Sequence, residues 1–193
     1  MIYELPSRVK ALIFDLDGTL LDTMAVHFQA WRETMDAYDI EISQELFDGF
    51  GGQTTPDIVA GLEKRHGRTL PVDEIARAKD QAFVRHAPLI QPIMPVLEIA
   101  QYYAQRLPLG VATNEHFGVA NIVMRTTGLS PLFQTMVTVD EVNNSKPDPE
   151  MFLECARRLG VQSDSCHVFE DSRFGIAAAE AAGMSVTDVA TLL

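Results

Sequence analysis

The sequence predicts an α/β fold, a parallel sheet flanked by helices and interrupted by an all-helical insert. Three observations predict it. From Pro95 onward, short apolar runs alternate with helical stretches. Such β-α alternation builds a parallel sheet with helices on both faces. An earlier apolar run, residues 9–14, is short and continuous enough to be a strand buried on both faces. Between the two, residues 23–88 keep helical character and show no clear strand.

In chain order, the first strand runs into Asp15-Leu16-Asp17-Gly18-Thr19. An ionised Asp is costly at the end of a buried strand unless it is paired or on a metal. Gly18 allows a tight turn and a close approach to a ligand, and Thr19 adds a hydroxyl and a backbone N–H. These residues alone make either a hard-cation site with an oxygen nucleophile or a strand followed by an acidic turn. Met24, Phe28, Trp31, Met35 and Tyr38 then recur at three- and four-residue spacing, the apolar stripe of a helix. Asp22 or Thr23 can cap its start. Helical character continues to Pro88, with breaks near Asp39, at 49–56 and at 67–71. An insert of about 65 residues leans on its neighbour for stability.

The later elements read as helix 96–106, strand 109–113, helix 119–127 stopped by Gly128, and strand 135–139. Asp148 caps the next helix, with Pro149 at its first position and Gly160 after its end. Strand 166–170, helix 173–182 and strand 185–189 complete the pattern. The first strand joins this sheet across the insert. The core is therefore discontinuous, residues 1–22 and 89–193, around an inserted unit of residues 23–88.

Ligands of open parallel sheets bind beyond the carboxyl ends of the strands. Those ends carry Asp15 and Asp17, then Thr113-Asn114, then Ser145-Lys146-Pro147 in the loop after the third core strand, then Glu170-Asp171. Each has a plain structural explanation: Thr113, Asp171 and Ser172 as helix caps, Lys146 as a solvated loop lysine. Their conjunction at successive strand ends is harder to explain that way.

Asp15-Leu16-Asp17-Gly18-Thr19-Leu20 resembles the first motif of the haloacid dehalogenase superfamily of phosphoryl-transfer enzymes. Thr113, Lys146 in Lys146-Pro147-Asp148-Pro149, and Glu170-Asp171-Ser172 followed by Gly175-Ile176 match the second, third and fourth motifs in order. An insert just after the first motif resembles the C1-type helical cap of β-phosphoglucomutase-like and fructose-1-phosphate phosphatase-like members. The resemblance implies a Rossmann-like core, a Mg²⁺ cofactor and a small phosphorylated metabolite as substrate. It implies Asp15 as nucleophile and Asp17 as general acid and base. Mg²⁺ would sit on the Asp15 carboxylate, the Asp17 main-chain carbonyl and Asp171, with Glu170 a weaker ligand. Thr113, Lys146 and backbone N–H groups near Gly18 and Thr19 would neutralise phosphoryl oxygens. Lys146 would also lower the pKa values of the crowded carboxylates.

His27, one turn before Trp31, matches a His of that subfamily and is either a packing residue or a substrate contact. Asn114 and His116 are further contacts that the position allows; His116 can equally begin a helix. Gly51, Gly52, Gln53, Thr54 and Thr55 fall where the subfamily's cap presents its substrate loop, so Gly52, Gln53 and Thr55 are candidate substrate residues. The subfamily's mutases carry a Lys and an Arg around that loop, where this chain has Gly51 and Thr55. The expected activity is therefore hydrolysis of a sugar monophosphate through an aspartyl-phosphate, with a phosphosugar mutase as the alternative.

A net charge of −12 argues against nucleic acid and anionic membrane as partners. No apolar run approaches the roughly 18 residues of a membrane span. The residues after Met1 lack a basic stretch followed by an apolar run, so no signal peptide is expected. Two cysteines, Cys155 and Cys166, are too few for a disulfide framework and read as buried thiols of a cytoplasmic protein. Oligomeric state is open, with a monomer admissible.

Overall fold

The computed structural model describes residues 3–51 and 53–193. Strand β1 (Ala11–Phe14) is buried along its whole length, and β4 (Leu109–Thr113) and β6 (Cys166–Glu170) flank it in parallel. With β5 (Thr135–Thr138) and β7 (Ser185–Asp188) they form a five-stranded parallel sheet in the order β5-β4-β1-β6-β7. After β1 the chain builds outward to β5, then returns to the other side for β6 and β7. The order reverses at β1, so a crevice opens at its carboxyl end.

The period-two geometry of β1 sends its side chains to two cores. Leu12 and Phe14 join one cluster with Val96, Ala100, Ala120 and Val123, from α5 (Met94–Tyr103) and α6 (Phe117–Thr126). Ala11 and Ile13 join another with Met151, Phe152, Cys155 and Ala178, from α7 (Glu150–Leu159) and α8 (Arg173–Ala181). Both cysteines are buried and free.

The segment after β1 is helical: α1 (Met24–Asp36), α2 (Gln44–Asp48), α3 (Thr55–His66) and α4 (Val72–His86). Trp31, Met35, Val59, Leu62 and Ile75 form a third cluster within it. Val26 and Ala30 of α1 and Phe83 of α4 pack instead into the first cluster, so the helical layer shares apolar surface with the sheet's helices. The two chain crossings are stitched by a two-residue antiparallel pair, β2 (Leu21–Asp22) and β3 (Gln91–Pro92). Pairs this short carry no periodicity, which is why the sequence did not show them.

Several local expectations shift. Thr23 precedes α1 but its side chain caps nothing, and Asp22 lies in β2. Helix α7 starts at Glu150, one residue later than expected, with Asp148 Oδ1 accepting from the Glu150 N–H at 2.9 Å. The last strand stops at Asp188, and 189–192 turn into a short 3₁₀ segment. Within the expected α1 stripe, Trp31 and Met35 are buried, whereas Met24 is exposed and lines a cavity beside Phe28. Among the described residues no helix is long and apolar enough to cross a membrane.

Candidate active site

The residues after β1 are shaped by a tight loop. The Asp15 N–H still pairs with the Phe169 carbonyl at 3.0 Å, continuing the β1–β6 ladder by one residue. The chain then folds back: the N–H groups of Leu20 and Leu21 both donate to Leu16 O, and that of Gly18 to Leu21 O at 2.8 Å. Gly18 sits at φ +85°, and a Cβ there would fall 2.4 Å from Asp171 Oδ2. The loop thus requires glycine for conformation and for room.

Lys146 is the hub of the polar interior. Its Nζ lies 2.6 Å from Asp15 Oδ1 and 2.7 Å from Glu170 Oε2, with all three side chains almost fully buried. Glu170 Oε1 accepts from the N–H groups of Asp171 and Ser172 and from Ser172 Oγ. Gly175 is the floor beneath it, since a Cβ there would fall 1.8 Å from Glu170 Oε2. Thr19 Oγ1 donates to Asp171 Oδ1 at 3.0 Å. Carboxylate oxygens of Asp15, Glu170 and Asp171 lie within 4.8 Å of one another.

Crowding decides the ionisation of this group. Burial, then the charge of Glu170, raise Asp15 well above the usual carboxylate range despite Lys146. Burial and Glu170 likewise raise Asp171, to about 6. The expectation that Lys146 would hold these carboxyls low is thus reversed: one ammonium does not offset the burial and mutual repulsion of several carboxylates. Lys146 itself is held well above its ordinary value, because Asp15 and Glu170 outweigh its own burial. An all-oxygen cluster left short of positive charge fits a hard divalent cation. Asp15 and Asp171 are the freer ligands, because Glu170 is already taken up by four donors.

Asp17 belongs to a second group. Its Oδ1 lies 3.3 Å from His27 Nε2, and Thr113 Oγ1 donates to its Oδ2 at 3.5 Å. Burial pushes the Asp17 carboxyl up, but the His27 contact together with Thr23 and the charge of Lys79 outweighs it and the net direction is down. The His27 ring stacks on Phe83, centroids 4.2 Å apart. Thr113 Oγ1 also accepts from the Glu115 N–H at 3.0 Å.

A cavity of about 570 Å³ spans the sheet edge and the helical layer. Asp15, Asp17, Thr113, Asn114, Lys146, Glu170 and Asp171 line it from the sheet edge, and His27, Gln53, Thr54 and Thr55 from the helical segment. Gln53 donates to Gly49 O at 2.7 Å, and Thr54 caps α3 by accepting from the Asp57 N–H. Both side chains therefore have local structural work as well. Asn114 Oδ1 accepts from the Lys146 N–H, tying the loop after β4 to the loop that carries Lys146. Gly52 lies outside the described residues. His116 stays off the cavity: it starts α6 and pairs with Asp140 at 2.6 Å.

Two charged residues of the cavity were missed. Lys79 of α4 reaches Glu115, just after β4, with Nζ 3.1 Å from Oε2. Lys79 occupies the buried stripe of Ile75, Ala82 and Phe83. A lysine at an apolar-stripe position was the available signal. Phe47 and Phe50 also line the cavity.

A family described as haloacid dehalogenase-like hydrolase matches residues 12–189. The chain is 37% identical over 187 residues to fructose-1-phosphate phosphatase YqaB of Escherichia coli (strain K12), covering 96% of this chain and 98% of that protein. It is 30% identical over 180 residues to a phosphorylated carbohydrates phosphatase of Thermotoga maritima, covering 91% and 82%. Among solved structures, CbbY from Rhodobacter sphaeroides in complex with phosphate is similar at a TM-score of 0.83 and 26% identity, covering 92% of this chain and 84% of that one.

Proposed function

The chain belongs to the haloacid dehalogenase-like hydrolases, and on that premise we propose that it is a Mg²⁺-dependent phosphatase of a sugar monophosphate. The observation that carries the reading is the division of the strand-end carboxylates. Asp15 sits with Lys146, Glu170 and Asp171, whereas Asp17 sits with His27 and Thr113. Two carboxyl groups in different environments suit two different roles. The division of the chain into a core, 1–22 and 89–193, and a helical cap, 23–88, is part of the same proposal.

An Asp15 carboxylate oxygen attacks phosphorus, the bond to the leaving oxygen breaks, and the phosphoryl group passes to Asp15. The leaving oxygen takes a proton from the Asp17–His27 pair through the Asp17 carboxyl. Water then attacks the aspartyl-phosphate and loses its proton to Asp17, which frees inorganic phosphate and restores Asp15. Lys146, the Thr113 hydroxyl and the N–H groups around Gly18 and Thr19 offset charge on the phosphoryl oxygens. Asp15, Asp171 and the Asp17 main-chain carbonyl would hold the Mg²⁺, with Glu170 acting through water. When bound, the ion supplies further charge neutralisation at the phosphoryl group. A phosphosugar mutase must seat a second phosphate. Among the described cavity-lining residues the Lys side chains are Lys79 and Lys146, both paired, and there is no Arg. Hydrolysis is therefore the better reading.

The test is phosphate release from a panel of sugar monophosphates that includes fructose 1-phosphate, with Mg²⁺ and with excess chelator. Release that needs Mg²⁺ and disappears in Asp15→Asn is the expected result. Activity of D15N within about tenfold of wild type would refute the nucleophile assignment. Full activity in chelator would refute the metal role.

A further inference from the structure

The Lys79–Glu115 pair is the part of the cavity that the phosphoryl-transfer chemistry leaves unused. Lys79 is 4% exposed and Glu115 9% exposed, so this is a buried ion pair. It joins α4 of the helical layer to the loop just after Thr113. Asp80 also approaches Lys79 Nζ, at 3.5 Å. The other Glu115 oxygen accepts from the His116 N–H at 3.0 Å. Glu115 is close to the reacting centre: one of its carboxylate oxygens lies within 4.8 Å of ligand atoms of both Asp17 and His27. The pair therefore borders the place where a leaving group bonded to an oxygen beside Asp17 must lie.

Without Glu115, Lys79 would keep only the more distant Asp80, and this region would be more attractive to an anionic substituent on the leaving group. Glu115 offsets that attraction, with a carboxylate oxygen within 4.8 Å of ligand atoms of Asp17 and His27. A hydroxyl can still donate to a carboxylate lone pair, whereas a carboxylate or a second phosphate cannot. We propose that Glu115 is a specificity-determining residue: by masking Lys79 it fits the leaving-group end of the cavity to uncharged, hydroxyl-bearing groups and rejects those carrying a carboxylate or a second phosphate. This rests on the phosphatase reading and adds to it the charge class of the leaving group. Other parts of the lining agree with it. Phe28, Phe47 and Phe50 offer apolar faces, while Gln53 and Thr54 offer neutral polar groups.

The experiment uses binding, so that it does not depend on turnover. Calorimetry measures the Kd of glycerol 3-phosphate and of 3-phosphoglycerate, nearly matched in size, on full-length D15N with Mg²⁺. The D15N protein should prefer glycerol 3-phosphate. In D15N/E115Q the ratio of the two Kd values should move toward 3-phosphoglycerate by on the order of tenfold, the size of one charge repulsion through partly solvated protein. D15N/K79Q/E115Q, which removes both charges of the pair, should lose that shift. An unchanged ratio in D15N/E115Q overturns the proposal, as does a shift that persists without Lys79. Equal weakening of both ligands also overturns it and makes Glu115 a cap-holding residue only. Failure of the underlying reading looks different: D15N would release phosphate from either ligand, or would bind neither.

Discussion

Replacing Lys146 by Met removes the charge that the site interior is built around while keeping most of the chain length. In the wild-type protein Nζ contacts carboxylate oxygens of Asp15 and Glu170 at 2.6 and 2.7 Å, with all three groups nearly inaccessible to water. Without it, two buried carboxylates face each other, and breaking a buried ion pair from one side costs about 3–5 kcal/mol. That is a large share of a typical domain's stability of roughly 5–15 kcal/mol. The loss should depend on pH with a definite sign. Asp15 is already raised by burial and by Glu170, and Lys146 is what pulls it back. Its pKa should therefore rise further in K146M, so the folded variant binds a proton at higher pH than the folded wild type. Protonation relieves part of the repulsion, and the difference in stability shrinks as pH falls from 7.5 to 5.5. Urea unfolding followed by circular dichroism in chelator, at both pH values, measures this directly. A loss below about 1 kcal/mol at pH 7.5, or one that does not change with pH, would refute the argument. Phosphate release by K146M should also fall steeply, since the phosphoryl oxygens lose their buried ammonium.

Asp17→Asn should lose most activity on alkyl phosphates and least on an aryl phosphate whose leaving group needs no proton, as rates on both substrates will show; equal loss would make Asp17 structural. Gly175→Ala places a methyl where Glu170 Oε2 stands; it should lower the melting temperature and phosphate release together, and a variant unchanged in both would show that the floor under Glu170 gives way. His167, buried between Ser185 Oγ and Thr187 Oγ1, has its pKa lowered to about 4 by burial. The unfolded chain therefore binds this proton first, and stability drops as pH falls from about 6.5 to about 4, by up to about 3 kcal/mol. His167→Gln should flatten that part of the acid-unfolding curve, and an unchanged slope would place the sensitivity elsewhere.

The sequence alone determined what local pattern can carry. The buried run of β1, the β-α alternation after Pro95 and the helical spacing of the insert depend on side-chain periodicity, which survives without tertiary information. Gly18 and Gly160 mark turns because positive φ excludes most other residues. The polar residues at successive strand ends were legible because a parallel sheet brings its carboxyl edges together whatever the loops do. Tertiary structure decided the rest. Only the packed interior shows that Asp15 and Asp171 are pushed up while Asp17 is pulled down, because burial and neighbouring charge act through space. Only the cavity separates Met24, Phe28 and Trp31, which line it, from Met35, which is enclosed in the helical core, since one amphipathic stripe serves both. The Lys79–Glu115 pair joins residues 36 positions apart. No spacing rule links them; they meet because α4 folds back over the loop that follows β4.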